Sequence, residues 1–455
     1  MTAELQSICQ MMPLLKSGEV SPVDLVRRCL ERIDARPELN AFITVMRESA
    51  LSDAHTAERQ IAAGRYRGGL HGIPISVKDL VDVAGTPTTA GSALPPRNPD
   101  VDAPIVMRLR EAGAIIIGKT NLHEFAFGTT SEESAFGPVR HPRDPSRSAG
   151  GSSGGAAVAL LEGMCFASVG TDTGGSIRIP SAVCGIVGLK PAFGELPCDG
   201  IVALSTTLDH VGPMARSVAD VSVMFGAMTG AAGTDGAGSS RRSYIFGVPE
   251  TYFCDRLHPA VRAGLSRTRD ALARAGHEIR TVAVEHAFRT PDVYLHLVLP
   301  EASWYHAPLL AEYADRYSPG VRLRLEMGRY VLAEDYVRAR QLRTVLRRAV
   351  DQAMTGCDAL LLPTLPIPSP TLGATTVDVD GTPEPVRAVM LRLTQLFNIT
   401  GHPAIALPAG TTDDGWPVSV QLVGPLDGTA QLIKIASVVE PYSTGGDGSV
   451  GGGTG

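Results

Sequence analysis

Gly150-Gly-Ser152-Ser153-Gly-Gly155, then Gly170-Thr-Asp172-Thr173-Gly174-Gly175-Ser176-Ile-Arg178-Ile-Pro180, then Cys184-Gly-Ile-Val-Gly-Leu-Lys190-Pro191, is the run that decides the fold of this chain. A serine-rich glycine loop comes first. A second serine, Ser176, then directly follows two glycines. Glycines without side chains let successive N–H groups turn toward one point, which makes an anion nest and a candidate oxyanion hole. A serine beside such a nest is a poor nucleophile until a base takes its proton. No histidine lies within the run.

Outward from this run the pattern is α/β. Ile73, Ile75 and Val77 alternate like a strand, Ile115-Ile116-Ile117 is a short apolar run, and Val106 to Ala112 between them reads as a helix. Residues 1–60 read as helical, with Ser21 as a cap, Pro22 in the first turn, and Leu25, Cys29 and Ile33 at helical spacing. Residues 140–156 read as a polar loop, 157–163 as a helix and 166–169 as a strand. Residues 230–242 read as a Gly/Ser/Asp-rich connection, and 301–352 as two or three outer helices. Leu360-Leu-Leu and Ala404-Ile-Ala-Leu read as strands stopped by Pro363 and Pro408; 418–423 is another strand and 429–439 a final helix. The tail 443–455 holds seven glycines and reads as disordered. No repeat of ~20–50 residues stands out.

The composition sets bounds. The chain has 455 residues, 44% hydrophobic and 19% charged, enough apolar material for a large core and against a disordered chain. At ~150 residues per domain the length allows about three domains, although a large α/β enzyme also fits it. The net charge of −6 gives no reason to expect direct nucleic-acid binding. No apolar run reaches the ~18 residues of a membrane span, and without a basic region followed by a long apolar run at the start no secretory signal is expected. Seven cysteines, an odd number without a CxxC pair, read as reduced thiols in a cytoplasmic protein.

Three motif matches lead elsewhere. Gly113 to Thr120 satisfies the Walker A pattern, but its middle is itself the predicted strand; the plainer reading is a core strand followed by a surface Lys119. Ser152 and Ser153 each fit G-x-S-x-G, but a nucleophile elbow needs a strand entering it, and 141–148 does not read as one. His123-Glu124 would need His at 127 to bind zinc, and that position is Phe127, so no metal or other cofactor is expected.

The central run resembles the amidase signature family, and the resemblance extends from the N-terminal helices to about Glu440. Asp358 to Thr364, Asn398-Ile-Thr-Gly-His-Pro403 and Gly415 to Gly424 also match its pattern. Trp416, where the family often has Leu, and Ser419, where it often has Gly, depart from it. The resemblance implies a large mixed twisted β-sheet flanked by helices on both faces. It implies one amidase domain over 1–440: N-terminal helices at 1–60, a catalytic core at 61–230, a more variable helical region at 231–355, C-terminal core strands and a helix at 356–440, and a disordered tail at 441–455.

It also implies a Ser–cis-Ser–Lys triad. Lys78, closing His71-Gly-Ile-Pro-Ile-Ser-Val-Lys78, is the base, Ser152 the bridging serine and Ser176 the nucleophile. The amides of Thr173, Gly174, Gly175 and Ser176 form the oxyanion hole. Burial at a strand end would lower the Lys78 pKa and leave it neutral. Ser153 and Arg178 are further candidates for substrate contact, with a loop hydrogen bond and a structural ion pair as their plainer readings. Asp172 is expected to orient its loop through backbone bonds. Trp304, Tyr305 and His306 either line an acyl pocket or form a plain helix face. The Asn398-Ile-Thr400 sequon has no meaning in the cytoplasm. The implied activity is hydrolysis of a small carboxamide to an acid and ammonia or an amine, with a homodimer as one assembly. The alternatives are the glutaminase component (the A subunit) of an Asp/Glu-tRNA amidotransferase complex, with its partner subunits, and a scaffold with a degenerate site.

Overall fold

The computed structural model describes residues 7–230 and 243–444. Its strands are β1 (Phe42–Val45), β2 (Pro74–Lys78), β3 (Ile115–Thr120), β4 (Arg140–His141), β5 (Asp144–Ser148), β6 (Ala167–Asp172), β7 (Val187–Lys190), β8 (His210–Ala215), β9 (Ile245–Pro249), β10 (Glu278–Val282), β11 (Ala359–Pro363), β12 (Thr376–Val379), β13 (Thr382–Pro385), β14 (Ala404–Thr411) and β15 (Pro417–Val423). Among the described residues eleven of these form one sheet, in the order β1-β3-β2-β6-β8-β7-β14-β15-β11-β9-β10. It is mixed: β2 runs parallel to β3 and β6, β9 parallel to β10 and β11, and the pairs between them are antiparallel.

Every residue of β2, β3, β6, β7, β8 and β11 is buried, so both faces of the sheet are covered. This explains why they lack the polar alternation of a half-solvated strand, most plainly in Ile115-Ile116-Ile117 and Leu360-Leu361-Leu362. Ser21 caps the helix Pro22–Ala35 by accepting from the Val23 N–H at 3.0 Å, and that helix buries Leu25 and Cys29. The helix Gly154–Leu161, buried along most of its length, packs on β2 and β6.

Several elements differ from the sequence reading. Residues 42–45 form an edge strand inside the stretch read as helical; Phe42-Ile-Thr-Val is β-branched and aromatic, a signal the helical flanks obscured. The segment read as loop holds the ribbon β4–β5, so a strand does lead toward Gly150, but it pairs outside the main sheet. Lys119 is fully buried rather than at the surface. β14 runs past Pro408, which pairs with Ser419 before a bulge. The last helix extends through Pro441 to Ser443, and the helix after the glycine loop starts at Gly154. The expectations for 231–242 and for 445–455 lie outside the described residues.

The topology places the site. β2 and β6 run parallel, with Val77 opposite Val169, so Lys78 and Thr171 emerge at the same carboxyl edge. The carboxyl ends of parallel strands are where α/β sheets hold their ligands.

Candidate active site

Lys78 is fully buried at the end of β2. Its Nζ lies 2.7 Å from Ser152 Oγ and 2.8 Å from Thr171 Oγ1. Burial lowers its pKa to about 7, against the opposing pull of the Asp172 and Asp209 charges. Its two hydrogen-bond partners are neutral hydroxyls, so no carboxylate in contact holds the proton on. Lys119 is the useful contrast. It is also buried, but its Nζ sits 2.8 Å from Asp79 Oδ1, so an anion balances its charge.

Ser152 is fully buried and follows a cis Gly151–Ser152 peptide. Its carbonyl accepts from the His123 N–H and from Ser131 Oγ, each at 3.2 Å, which fixes the loop. The N–H of Ser153 donates to the Ser176 carbonyl at 3.2 Å and fastens the first serine loop to the second. Ser153 Oγ donates to the Thr171 carbonyl at 3.3 Å, and the residue is fully buried. Substrate contact was one expectation for Ser153; its hydroxyl is instead a clasp between the two loops.

The turn 173–176 has a defined shape. Asp172 Oδ2 accepts from the N–H groups of Ile177 and Arg178 at 3.2 and 3.4 Å, closing the turn as expected. Gly175 has φ +139°, which suits glycine alone, and the Gly174 carbonyl accepts from Thr394 Oγ1 at 2.6 Å. Among the described residues the N–H groups of Gly174, Gly175 and Ser176 have no acceptor. Thr173 Oγ1 donates to Asp209 Oδ1 at 2.6 Å, and burial raises the Asp209 pKa to about 6 despite the N–H bonds from Leu204 and Ser205.

Arg178 corrects the other substrate-contact expectation. It is fully buried, and all five of its N–H donors have acceptors within the protein. Nε and Nη2 reach Asp172, Nη2 also reaches Asn398 Oδ1, and Nη1 reaches the Thr394 carbonyl and Gln421 Oε1. Burial alone would raise the Asp172 pKa, but the Arg178 charge and hydrogen bonds outweigh it and hold the carboxyl well below its usual range. Asn398, the sequon asparagine, is fully buried and donates to the Asp172 carbonyl and carboxylate at 2.8 Å.

Trp304 is 74% exposed, and His306 is buried against the Tyr317 hydroxyl at 3.0 Å, which fits the plain helix face. Trp416 packs edge-on against His141, with Arg147 4.8 Å above its ring; Ser419 donates to the Leu407 carbonyl. Thr171, Asp209 and Thr394 carried no local signal in the sequence. Each enters the site through hydrogen bonds with residues of other segments, Thr171 with Lys78, Asp209 with Thr173 and Thr394 with Gly174.

A mainly apolar cavity of about 370 Å³ opens beside these groups, lined by Leu80, Thr171, Thr173, Phe193, Ile201 and Asp209 among others. All seven cysteines are free. Among the described residues no cluster of His, Cys, Asp and Glu could hold a metal, and no helix is long and apolar enough to cross a membrane.

A buried lysine on a serine hydroxyl, beside a glycine turn with unused amides, defines a serine–lysine site. The Amidase family profile matches residues 24–432. An amidase of Pseudomonas putida is 38% identical over 437 residues, covering 92% of each chain. The A subunit of the glutamyl-tRNA(Gln) amidotransferase of Syntrophus aciditrophicus (strain SB) is 33% identical, covering 94% of this chain and 95% of its own. A solved amidase crystal structure superposes with a TM-score of 0.89 at 38% identity, covering 95% of this chain and 98% of the other. The chain belongs to the amidase family, and with it to the hydrolases of amide carbon–nitrogen bonds.

Proposed function

We propose that the protein is a free-standing amidase working through an acyl-enzyme on Ser176. Neutral Lys78 takes a proton from Ser152, which takes one from Ser176 as its Oγ attacks the amide carbonyl. The amides of Thr173, Gly174, Gly175 and Ser176 hold the developing oxyanion. The proton returns through Ser152 to the leaving nitrogen, the carbon–nitrogen bond breaks, and ammonia or an amine departs. Water then attacks the ester by the same relay and releases the acid. The observation that carries this reading is the 2.7 Å contact of a fully buried lysine with Ser152, Thr171 being its one other hydrogen-bond partner among the described residues. The free thiols suit a reducing compartment such as the cytoplasm.

Ammonia release from a panel of small carboxamides by the purified chain tests it. We expect turnover without added protein, and a fluorophosphonate that labels the parent but not Ser176→Ala. The similarity to amidotransferase A subunits supports a second reading, a glutaminase acting within a complex. Ammonia release from glutamine alone, and only when a partner protein is present, would select it.

A further inference from the structure

The wall beside the oxyanion turn is built by Tyr294 and Leu391. A Cβ added to Gly174 would lie 2.5 Å from Tyr294 Oη and 2.9 Å from Leu391 Cδ2. Leu391 ends the helix Val386–Leu391, and Arg387 lies one turn earlier on the same face. Two guanidinium groups lie over the Phe127 ring, with Arg324 5.4 Å and Arg387 5.7 Å from its centre. They differ in their partners. Arg324 donates to Glu133 Oε2 at 3.0 Å. Arg387 is half-buried, has no carboxylate within ion-pair distance among the described residues, and its buried Nε has no hydrogen-bond partner.

The charged and titratable groups it senses are Tyr294 and the cation Arg324. Burial pushes the Tyr294 hydroxyl pKa up, the Arg387 charge draws it down, and the Asp172 and Asp209 charges raise it, so Arg387 acts on the same hydroxyl as two carboxylates of the site. The contact of Leu391 with the Gly174 position puts the Arg387 helix against the oxyanion turn. A partly desolvated guanidinium without an anion is unfavourable, and its planar fork matches a carboxylate. We propose that Arg387 binds a carboxylate carried by the substrate, so that the preferred substrates are carboxamides bearing a second, anionic group, such as monoamides of short dicarboxylic acids. This rests on the amidase reading above. It assigns to Arg387 the role that the sequence suggests for Arg178, whose donors are all used inside the protein.

The experiment compares kcat/KM for succinamate with that for its neutral isostere succinamide, by ammonia release. The parent is expected to favour succinamate by about tenfold or more. Arg387→Gln is expected to bring the ratio close to one, chiefly through a raised KM for succinamate, and Arg387→Lys to leave it in between. A parent ratio of one or less, or an undiminished ratio in a folded Arg387→Gln protein, would overturn the proposal. If neither amide is hydrolysed, the carboxamide panel above still decides the amidase reading on its own. Calorimetric binding of succinate then decides: about tenfold weaker binding in Arg387→Gln supports the carboxylate site, and equal binding overturns it.

Discussion

At the residue scale the chemistry depends on whether Lys78 is charged. With a pKa near 7, the neutral amine is the minor form below that value and the major form above it. If neutral Lys78 is the base, kcat/KM should rise with pH through about 7 and then level off. A flat profile between pH 5.5 and 8.5 would place the base elsewhere. Lys78→Arg keeps the positive charge at every accessible pH, because a guanidinium does not deprotonate there. It should lower kcat by about 10³-fold or more while the protein stays folded. Lys78→Met should abolish turnover too, with a melting temperature at or above the parent's. The folded state disfavours the charged amine that the unfolded chain carries freely up to pH ~10.5. For this group the unfolded chain binds more protons between about 7 and 10.5, so its destabilising effect shrinks as pH rises through that window and is fully felt at acid pH.

At the element scale, two backbone segments carry the serines, and their close packing demands glycine. A Cβ at Gly155, at the start of the helix Gly154–Leu161, would overlap the carbonyl oxygens of Asn121 and Ala41. Those oxygens belong to backbone that cannot swing away. Gly155→Ala should therefore destabilise the protein by about 2–4 kcal/mol, seen as a lowered midpoint in urea. Gly174→Ala acts on the turn instead. Its Cβ meets Tyr294 and Leu391, so kcat should fall by about 10²-fold or more as the amides are pushed out of line. The strands legible in the sequence are β2, β3, β6, β11, β14 and β15, whose mainly buried apolar stretches stand out. By contrast β7 and β8, equally buried, interleave Gly188, Lys190, His210, Gly212 and Pro213 and do not. β1 and the ribbon β4–β5 are not legible there, since short strands at an edge or in a ribbon leave little periodicity, and Pro145 inside β5 argues for a loop.

At the scale of the whole molecule, Arg178 ties the two halves of the chain together. Its acceptors lie on β6 at Asp172, on the helix Gln395–Thr400 at Asn398, at its cap Thr394, and on β15 at Gln421. The sheet makes the same join, where β7 pairs with β14. Arg178→Met would leave the Asp172 carboxylate buried without its cation. It should cost about 3–5 kcal/mol and lower the melting temperature, with activity lost as the turn loosens. A fragment ending before residue 231 would expose the β7 edge and should fail to fold to a soluble state, as gel filtration would reveal.

The amino-acid sequence alone determined the family, the longer apolar strands and the positions proposed for the triad, Lys78, Ser152 and Ser176, because these lie in contiguous runs and motifs whose spacing is itself the signal. What only the tertiary structure decided is the electrostatic state of each side chain. Lys78 and Lys119 both end strand-like runs in the sequence, and both are buried. One meets hydroxyl groups and the other the Asp79 carboxylate, from segments folded against them. Arg178 and Arg387 likewise look alike along the chain, yet one has every donor matched and the other, among the described residues, has none bonded to a carboxylate. Partners brought from distant segments set the local potential, and that potential separates Lys78, the proposed base, from the ion-paired Lys119, and Arg178 from Arg387, the proposed binding group.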